Sequence, residues 1–204
     1  MATNRIHLAS RSARRQALLR QIHVEFDVLL LRTAPGREPD VLEEARDGEP
    51  PRHYVERIAR TKASAGWEAV GRRKLAPNPV LGADTEVVID GVVLGKPRDA
   101  AHATEMLTRL AGRAHEVVTG VALRDGDDVA FAMSVSRVKL APLTRDEIAR
   151  YVGTGEPLDK AGAYAVQGLA AAFVERIDGS YSGVVGLPLA ETASLLARAG
   201  RGVL

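Results

Sequence analysis

An acidic residue stands among small and β-prone residues near the middle of the chain. Asp84 follows Gly82 and Ala83 and precedes Thr85, and no basic residue adjoins it. An ionised carboxylate in apolar surroundings is unfavourable unless it has a partner or a chemical task. Two interpretations of Asp84 stay open: it holds Mg²⁺ or orients a water molecule, or it is a turn aspartate that bonds its own backbone.

A second candidate site is the serine- and arginine-rich segment near the N-terminus. Ser10 and Ser12 precede two consecutive arginines, Arg14 and Arg15, at the predicted start of a helix. A helix N-terminus offers unpaired N–H donors and partial positive charge, and arginine binds phosphate oxygens in a bidentate manner. The segment therefore predicts a phosphate site; an N-cap serine followed by solvated arginines is the alternative.

Two further segments carry a lysine beside small residues. Lys96 lies between a glycine and a proline, where it either neutralises phosphate or belongs to a solvated turn. Residues 156–168 combine small residues, which allow close backbone approach, with Asp159, Lys160 and Gln167. The Gln167 amide offers both a donor and an acceptor to the edge of a base. A packed connection with an internal Asp–Lys pair is the alternative interpretation of this segment.

Several common catalytic motifs are absent from the sequence. The chain has no cysteine and no P-loop pattern, and the glycines that follow Gly153 do not continue into a dinucleotide fingerprint. Within residues 179–183, Tyr181 occupies the position where a nucleophile elbow requires serine. The histidines show no zinc-ligand spacing. These absences disfavour P-loop and dinucleotide enzymes, serine and cysteine nucleophiles, and a zinc site.

Alternating strands and helices are predicted to position these residues. Strands are predicted at 6–9, 24–31, 80–83, 86–89, 92–94, 115–124, 129–140 and 171–177, and helices at 13–22, 51–67, 100–111, 145–152 and 189–199. A loop at 33–51 has the length of a lid or a binding loop. The pattern predicts one α/β domain over residues 1–204, with a mixed twisted sheet flanked by helices and two lobes around a central cleft.

The overall charge is close to balanced, with a formal net charge of +2. The first five arginines, up to Arg20, all precede the first acidic residue, Glu25. An N-terminus that is rich in arginine and free of acidic residues is also typical of a mitochondrial transit peptide. The strand, turn and capped helix predicted over 6–22 favour a folded domain instead. The near-neutral charge and the few aromatic residues disfavour nucleic-acid binding. No apolar run is long enough to cross a membrane. Because the sequence shows no targeting signal and no cysteine, we expect a cytoplasmic location.

Six segments, in this order, resemble the Maf family of nucleoside triphosphate pyrophosphatases, once described as septum formation inhibitors. They are Leu8-Ala9-Ser10-Arg11-Ser12-Ala13-Arg14-Arg15, Ala59 with Lys62-Ala63, Gly82-Ala83-Asp84-Thr85, Gly95-Lys96-Pro97, Asp159-Lys160-Ala161-Gly162-Ala163-Tyr164 with Gln167-Gly168, and Gly186-Leu187-Pro188-Leu189. The resemblance covers nearly the whole chain. The sequence departs from the family pattern at Ala13, where proline is usual, and in the loop at 33–51, which is longer than in many relatives.

The resemblance implies hydrolysis of a nucleoside triphosphate between its α and β phosphates, with release of a nucleoside monophosphate and pyrophosphate. In this interpretation Asp84 is the catalytic carboxylate and Glu43 a second acid, with Glu44 and Glu49 as rivals for the second position. Asp84 and Glu43 would hold a divalent cation, Mg²⁺ or Mn²⁺, which lowers the pKa of the attacking water. The implied catalytic lysines are Lys62 and Lys96, and the implied substrate-binding residues are Ser10, Arg14, Arg15, Thr85, Lys160 and Gln167.

The resemblance also bears on base selection and on partners. Thr85 and Gln167, together with Arg14, resemble the subgroup that acts on dTTP and UTP. The subgroup that prefers 7-methyl-GTP usually differs directly after the aspartate. The alternatives are a 7-methyl-GTP-preferring enzyme, a non-catalytic nucleotide-binding regulator of septum formation, a nucleotidyltransferase and an RNA-binding protein. The expected partners are a nucleoside triphosphate and a second copy of the chain, without nucleic acid or membrane.

Overall fold

A mixed sheet runs through the molecule in the computed structural model, which describes residues 5–32 and 39–203. Its strands are β1 (Arg5–Leu8), β2 (Glu25–Val28), β3 (Val80–Ile89), β4 (Val92–Leu94), β5 (Ala114–Asp125), β6 (Asp128–Leu140) and β7 (Val174–Asp178). Their order is β2-β1-β3-β5-β6-β7, and β4 pairs with β3. Strand β1 is parallel to β2 and β3, and the other pairs are antiparallel. The predicted α/β fold with a mixed sheet is confirmed.

Helices cover both faces of this sheet. They are α1 (Ala13–Gln21), α2 (Pro51–Arg72), α3 (Ala100–Leu110), α4 (Arg145–Gly153), α5 (Tyr181–Val185) and α6 (Leu189–Arg198), with 3₁₀ segments at Glu156–Asp159, Ala161–Ala163 and Leu169–Phe173. Side chains of Ser12, Asp99 and Thr144 cap α1, α3 and α4 by accepting a backbone N–H three residues on. Within the described ranges, no helix combines the length and apolar character needed to span a membrane.

Strand β3 is continuous, which differs from the prediction of two short extended segments. Asp84 and Thr85 pair with Gly120 and Thr119 of β5 in regular antiparallel register. The interpretation of Asp84 as a turn residue is therefore wrong. Hydrogen bonds to the long partner strand β5 keep β3 uninterrupted. The sequence of residues 80–89 alone does not contain this tertiary information.

Several other helix and strand boundaries differ from the predicted ones by a few residues. Strand β2 is shorter than the apolar run at 24–31, and α2 continues past residue 67 to Arg72. The strand predicted at 171–177 begins only at Val174, after a 3₁₀ segment. Helix α5 was not predicted, because five residues are too few to show a helical period. The predicted loop at 33–51 contains no helix or strand over 39–50, and its residues 33–38 lie outside the described ranges.

The pairing of β3 has a gap along one edge. Strand β5 pairs along the opposite edge from Val80 to Val88. On the gapped edge, β1 pairs only as far as Leu81, and β4 begins to pair at Val87. Within the described part of the chain, residues 82–86, which include Asp84 and Thr85, therefore have no strand beside them on that edge. This opening lets side chains from other elements approach the backbone of β3.

Alternation along β3 sends Asp84 and Thr85 to opposite faces of the sheet. On the Asp84 face, Val88 packs with Ile58 of α2 in a buried cluster. On the Thr85 face, one core cluster joins Leu81 to α1 and α6, and another joins Val87 to α3 and α4. The two clusters flank Thr85, so the core is divided on the face that Thr85 occupies.

Gly82 allows α2 to lie directly against β3. A Cβ atom at Gly82 would lie 2.5 Å from both the carbonyl oxygen of Ala59 and the amide nitrogen of Ala63. Both of these backbone atoms belong to α2. Lys62 lies next to Ala63 on the helix, so the same contact sets the reach of the Lys62 side chain towards Asp84.

Substitution of Gly82 tests this close approach. We expect Gly82→Ala to destabilise the protein by about 1–3 kcal/mol, because the backbone of α2 must move to accommodate the methyl group. Gly71→Ala is the matched control on α2, since its Cβ would meet no atom within 4 Å. The control should leave stability unchanged or raise it by up to about 1 kcal/mol. Urea denaturation measures both, and equal stabilities of the two variants would contradict the prediction.

Candidate active site

A cavity of about 820 Å³ opens at the gap in β3. The residues predicted for the site all line it, namely Ser10, Arg14, Arg15, Glu43, Lys62, Asp84, Thr85, Lys96, Lys160 and Gln167. They come from the β1–α1 turn, the segment before α2, α2 itself, β3, the segment after β4, and the 3₁₀ region. Folding therefore brings six separate sequence segments to one opening.

Lys62 joins two carboxylates at one end of the cavity. Its Nζ donates to Asp84 Oδ1 at 2.9 Å and to Glu43 Oε2 at 2.8 Å. Lys62 and Asp84 are buried, whereas the Glu43 side chain is half exposed. A buried ammonium is unfavourable without partners, and these two ion pairs compensate for its lost hydration.

The two rivals of Glu43 do not line the cavity. Glu49 makes a 2.6 Å ion pair with Arg57, and Glu44 contributes only its backbone carbonyl to the same guanidinium. The Arg57 hydrogen bond lowers the pKa of Glu49 to about 2. Of the three glutamates, the structure places Glu43 beside Lys62 and uses Glu49 to anchor the segment that leads into α2.

A third carboxylate in the cavity, Glu86, was not predicted. It lies two residues after Asp84, and strand alternation puts both on the same face. Its Oε2 is buried without a hydrogen-bond partner. Burial, reinforced by the charge of Asp84, raises the pKa of Glu86 to about 8, although Lys62 and Lys96 act in the opposite direction. The period-two spacing from Asp84 is the sequence signal that identifies this residue.

The carboxylate oxygens suit a hard divalent cation. Asp84 Oδ2 and Glu86 Oε2 are both buried without a partner, and such oxygens are the ligands that Mg²⁺ and Mn²⁺ prefer. Over residues 5–32 and 39–203, no three acidic, histidine or cysteine side chains are grouped so that they could hold an ion by themselves. Asp84 thus fits the way proteins usually bind Mg²⁺, through one or two carboxylates together with substrate phosphates. Glu43, predicted as the second ligand, lines the same cavity, with its Oε2 bonded to Lys62.

Arg15 ties three parts of the site together. Its Nε donates to the Gly186 carbonyl at 2.8 Å, one terminal nitrogen to Ser10 Oγ at 3.2 Å, and the other to Thr85 Oγ1 at 3.1 Å. The Thr119 hydroxyl lies 3.1 Å from that of Thr85. Burial lowers the pKa of Arg15, and the charge of Asp84 opposes this effect. The guanidinium therefore holds Thr85 in a fixed position as well as lining the cavity.

Arg14 reaches across the cavity from the start of α1. Its guanidinium lies 3.6 Å from the carboxylate of Asp159. The Ser10 hydroxyl accepts the backbone N–H of Ser12, which in turn caps α1. Both alternatives for this segment thus have support in the geometry, because the serines act as turn and cap residues while the arginines face the cavity.

The remaining candidates are Lys96, Lys160 and Gln167. The Lys160 ammonium contacts the Asp159 carboxylate and donates to the Glu156 carbonyl at 3.2 Å. Gln167 and Lys96 are exposed, and within the described residues their side-chain polar atoms make no hydrogen bond or ion pair. These two side chains are therefore available to a ligand without the loss of an existing contact.

The raised pKa of Glu86 predicts how the stability of the metal-free protein depends on pH. The folded-state pKa of about 8 exceeds the ordinary value of 4.5, so the folded state retains a proton that the unfolded state releases. Stability should therefore fall as pH rises between these values, by up to about 1.4 kcal/mol per pH unit. Glu86→Gln cannot ionise and removes this slope.

Urea unfolding in EDTA measures the Glu86 effect between about pH 5 and pH 9, a range that spans the two pKa values. The free energy of unfolding of Glu86→Gln relative to the unsubstituted protein should grow as pH rises and level off above about pH 8. Parallel stability profiles for the two proteins would show that Glu86 titrates normally.

Known proteins with similar sequences bear on this site. The model of the family described as Maf-like protein matches residues 5–199. A protein of Aromatoleum aromaticum named dTTP/UTP pyrophosphatase is 53% identical over 193 residues, which cover 94% of each chain. A Nitrosomonas europaea protein of the same name is 51% identical over 199 residues, covering 98% of this chain and 96% of the relative.

Among solved structures, the Staphylococcus aureus Ham1 protein aligns with a TM-score of 0.47 and 16% identity, covering 83% of this chain and 90% of that one. That similarity is too low to bear on the assignment. The family model, which matches residues 5–199, includes every segment that lines the cavity, and each of the two relatives covers at least 94% of the chain. On this evidence, the chain belongs to the Maf-like protein family.

Proposed function

We propose that this protein hydrolyses nucleoside triphosphates between the α and β phosphates, releasing a nucleoside monophosphate and pyrophosphate, with dTTP and UTP as preferred substrates. The observation that carries the proposal is the buried Lys62 between Asp84 and Glu43, in a cavity whose other walls present arginines and lysines. The printed names of the similar Aromatoleum and Nitrosomonas proteins support the same reaction and substrates.

Asp84 is suited to orient the attacking water. Lys62 holds its Oδ1, and Oδ2 has no hydrogen-bond partner among residues 5–32 and 39–203, so Oδ2 can accept a hydrogen bond from a water molecule in the cavity. We assign Asp84 and Glu43 as the residues that hold a divalent cation. Such a cation, when bound, supplies Lewis-acid neutralisation of phosphate charge. Lys62 contacts both carboxylates, so it fixes the direction of Asp84 Oδ1 and of Glu43 Oε2.

The cationic side chains are suited to the triphosphate. Arg14 and Arg15 face it from α1, Lys96 from the segment after β4, and Lys160 from the 3₁₀ region. Hydrolysis shifts negative charge towards the departing pyrophosphate, and positioning and electrostatic stabilisation supply most of the catalysis in reactions of this type. Cations fixed around the cavity stabilise that charge without reorganisation of the site.

Base selection is assigned to Thr85 and Gln167, with Arg14. The Gln167 amide is exposed in the cavity and can pair with the donor and acceptor edge of uracil or thymine. The Thr85 hydroxyl is held by Arg15, so it forms a fixed wall of the site.

A cytoplasmic location and a homodimer stand beside this proposal as predictions from the sequence, to be tested by cell fractionation and by light scattering.

Product identity tests the reaction. The purified protein is incubated with each common nucleoside triphosphate and with 7-methyl-GTP, in Mg²⁺ or Mn²⁺, and pyrophosphate is resolved from orthophosphate. We expect monophosphate and pyrophosphate, formed fastest from dTTP or UTP. Preference for 7-methyl-GTP would retain the reaction and overturn the base assignment. Orthophosphate as the first product, or binding of nucleotides without turnover, would overturn the proposed reaction.

Asp84→Asn tests the role of the catalytic carboxylate. Because the amide keeps the size of the side chain but loses its charge, we expect kcat to fall by about 10²-fold or more while the variant still binds nucleotide. Asp90→Asn is the control, since Asp90 lies in the exposed β3–β4 turn and pairs with Arg113 outside the cavity. It should keep the original kcat. Undiminished pyrophosphate release by Asp84→Asn would refute the catalytic assignment.

A further inference from the structure

The carboxylate of Glu156 lies beneath the turn that carries Gln167. Its Oε2 accepts the backbone N–H of Leu169 at 3.0 Å, and its Oε1 accepts that of Ala170 at 3.4 Å. The turn itself is closed by a 2.9 Å hydrogen bond from the Gly168 N–H to the Ala165 carbonyl. Glu156 thus binds the backbone directly after Gln167.

Tyr151 completes this arrangement from α4. Its hydroxyl donates to Glu156 Oε1 at 2.8 Å and accepts the backbone N–H of Ala165 at 3.2 Å. Tyr151 is buried, and its ring packs edge-on against Phe173. The hydroxyl and the carboxylate together hold the backbone on both sides of Gln167, at Ala165 and at Leu169.

Gly168 makes room for this contact. A Cβ atom at Gly168 would lie 2.3 Å from Oε2 of Glu156 and 2.6 Å from its Oε1. Only glycine leaves enough space for the carboxylate to sit against the turn. The main chain of Glu156 is engaged too, because its carbonyl accepts the Lys160 ammonium at 3.2 Å. One residue therefore contacts both the turn of Gln167 and the cation of Lys160.

Glu156 is suited to act as a pure acceptor here. Burial acts to raise its pKa, but hydrogen bonds from the Leu169 N–H and the Tyr151 hydroxyl lower the pKa overall. The ionised carboxylate accepts from every donor around it, and a charged acceptor makes stronger hydrogen bonds than a neutral one. The side chain does not line the cavity, so its effect on a ligand must pass through the turn.

We propose that Glu156 is a positioning residue for base selection, which acts with Tyr151 to hold the turn of Gln167 in the orientation that reads the base. The inference rests on the proposed function, in which Gln167 contacts uracil or thymine. An exposed glutamine on a mobile turn would lose conformational freedom on binding, which weakens binding, and it would adapt to other bases. A turn held at both ends avoids that cost and discriminates more sharply.

Glu156→Gln tests the inference, because the amide keeps the shape but replaces one acceptor oxygen with a donor that faces backbone N–H groups. We expect kcat/KM for dTTP to fall about tenfold through KM, with kcat within about threefold of its original value. The preference for dTTP over dCTP should fall about tenfold as well. Amide hydrogen exchange should accelerate at residues 165–170.

Glu147→Gln is the matched control. Glu147 also accepts a backbone N–H and a hydroxyl, those of Thr144, but it caps α4 outside the cavity. It should lower the thermal midpoint without changing the ratio of dTTP to dCTP. Where Glu156→Gln does not fold, Tyr151→Phe takes its place, since it keeps the ring against Phe173 and removes only the hydroxyl.

Equilibrium binding of dTTP and dCTP in EDTA gives a second readout that needs no turnover. If the unsubstituted protein does not hydrolyse dTTP, the proposed function fails, and the binding ratio still tests Glu156. If the unsubstituted protein discriminates and Glu156→Gln or Tyr151→Phe discriminates equally well, the inference is overturned while the proposed function stands. Absence of any base preference in the unsubstituted protein overturns the inference as well.

Discussion

The ammonium group of Lys62, buried between two carboxylates, is the interaction on which the arrangement of the site depends. A charge in that position is stable only because Asp84 and Glu43 both form ion pairs with it. Removal of either carboxylate would leave an incompletely compensated charge in the protein. The ion pair between Lys62 on α2 and Asp84 on β3 also requires α2 to pack tightly on β3. The absence of a side chain at Gly82 permits this packing. Backbone packing and site electrostatics are therefore coupled.

The second constraint is the interrupted edge of β3. Since β1 ends its pairing at Leu81 and β4 begins at Val87, the intervening backbone is accessible from beside the sheet. Asp84 and Thr85 point to opposite faces and still reach the same cavity. Arg15 then joins the Thr85 side to the β1–α1 turn and to Gly186 before α6. A regular sheet without the gap would separate the carboxylate from the arginine network.

The charges in the cavity are arranged in two regions. Carboxylates gather around Lys62, with Glu86 beside Asp84 carrying a pKa of about 8 and so mostly protonated at neutral pH. Arginines and lysines line other walls, where Asp159 pairs with Arg14 and Lys160. In the proposed function, a polyanionic substrate meets the cationic walls, and the carboxylates face the attacking water and a divalent cation. Glu156 and Tyr151 extend this organisation away from the charged centre to the turn of Gln167.

Short motifs with distinctive residue types carried most of the information about the site. Ser10 to Arg15, Asp84-Thr85, Lys96 and residues 159–167 were recognised because their composition is unusual, and all of them line the cavity. Glu86 cannot be identified in this way. It shares a face with Asp84 only because residues 80–89 form one continuous strand, whereas the sequence predicts two separate segments. Helix α5 and the true start of β7 were missed because short elements lack a measurable period.

The alternation of strands and helices could be predicted from the sequence, because it depends on neighbours within a few positions, and the sequence also states which residue types are available for chemistry. Only the packing of distant segments puts Lys62 between Asp84 and Glu43, engages Arg15 with Thr85, and sets Glu156 against the turn of Gln167. Hydrogen bonds, burial and pKa depend on distances between atoms, and those distances arise only when segments far apart in the chain pack together.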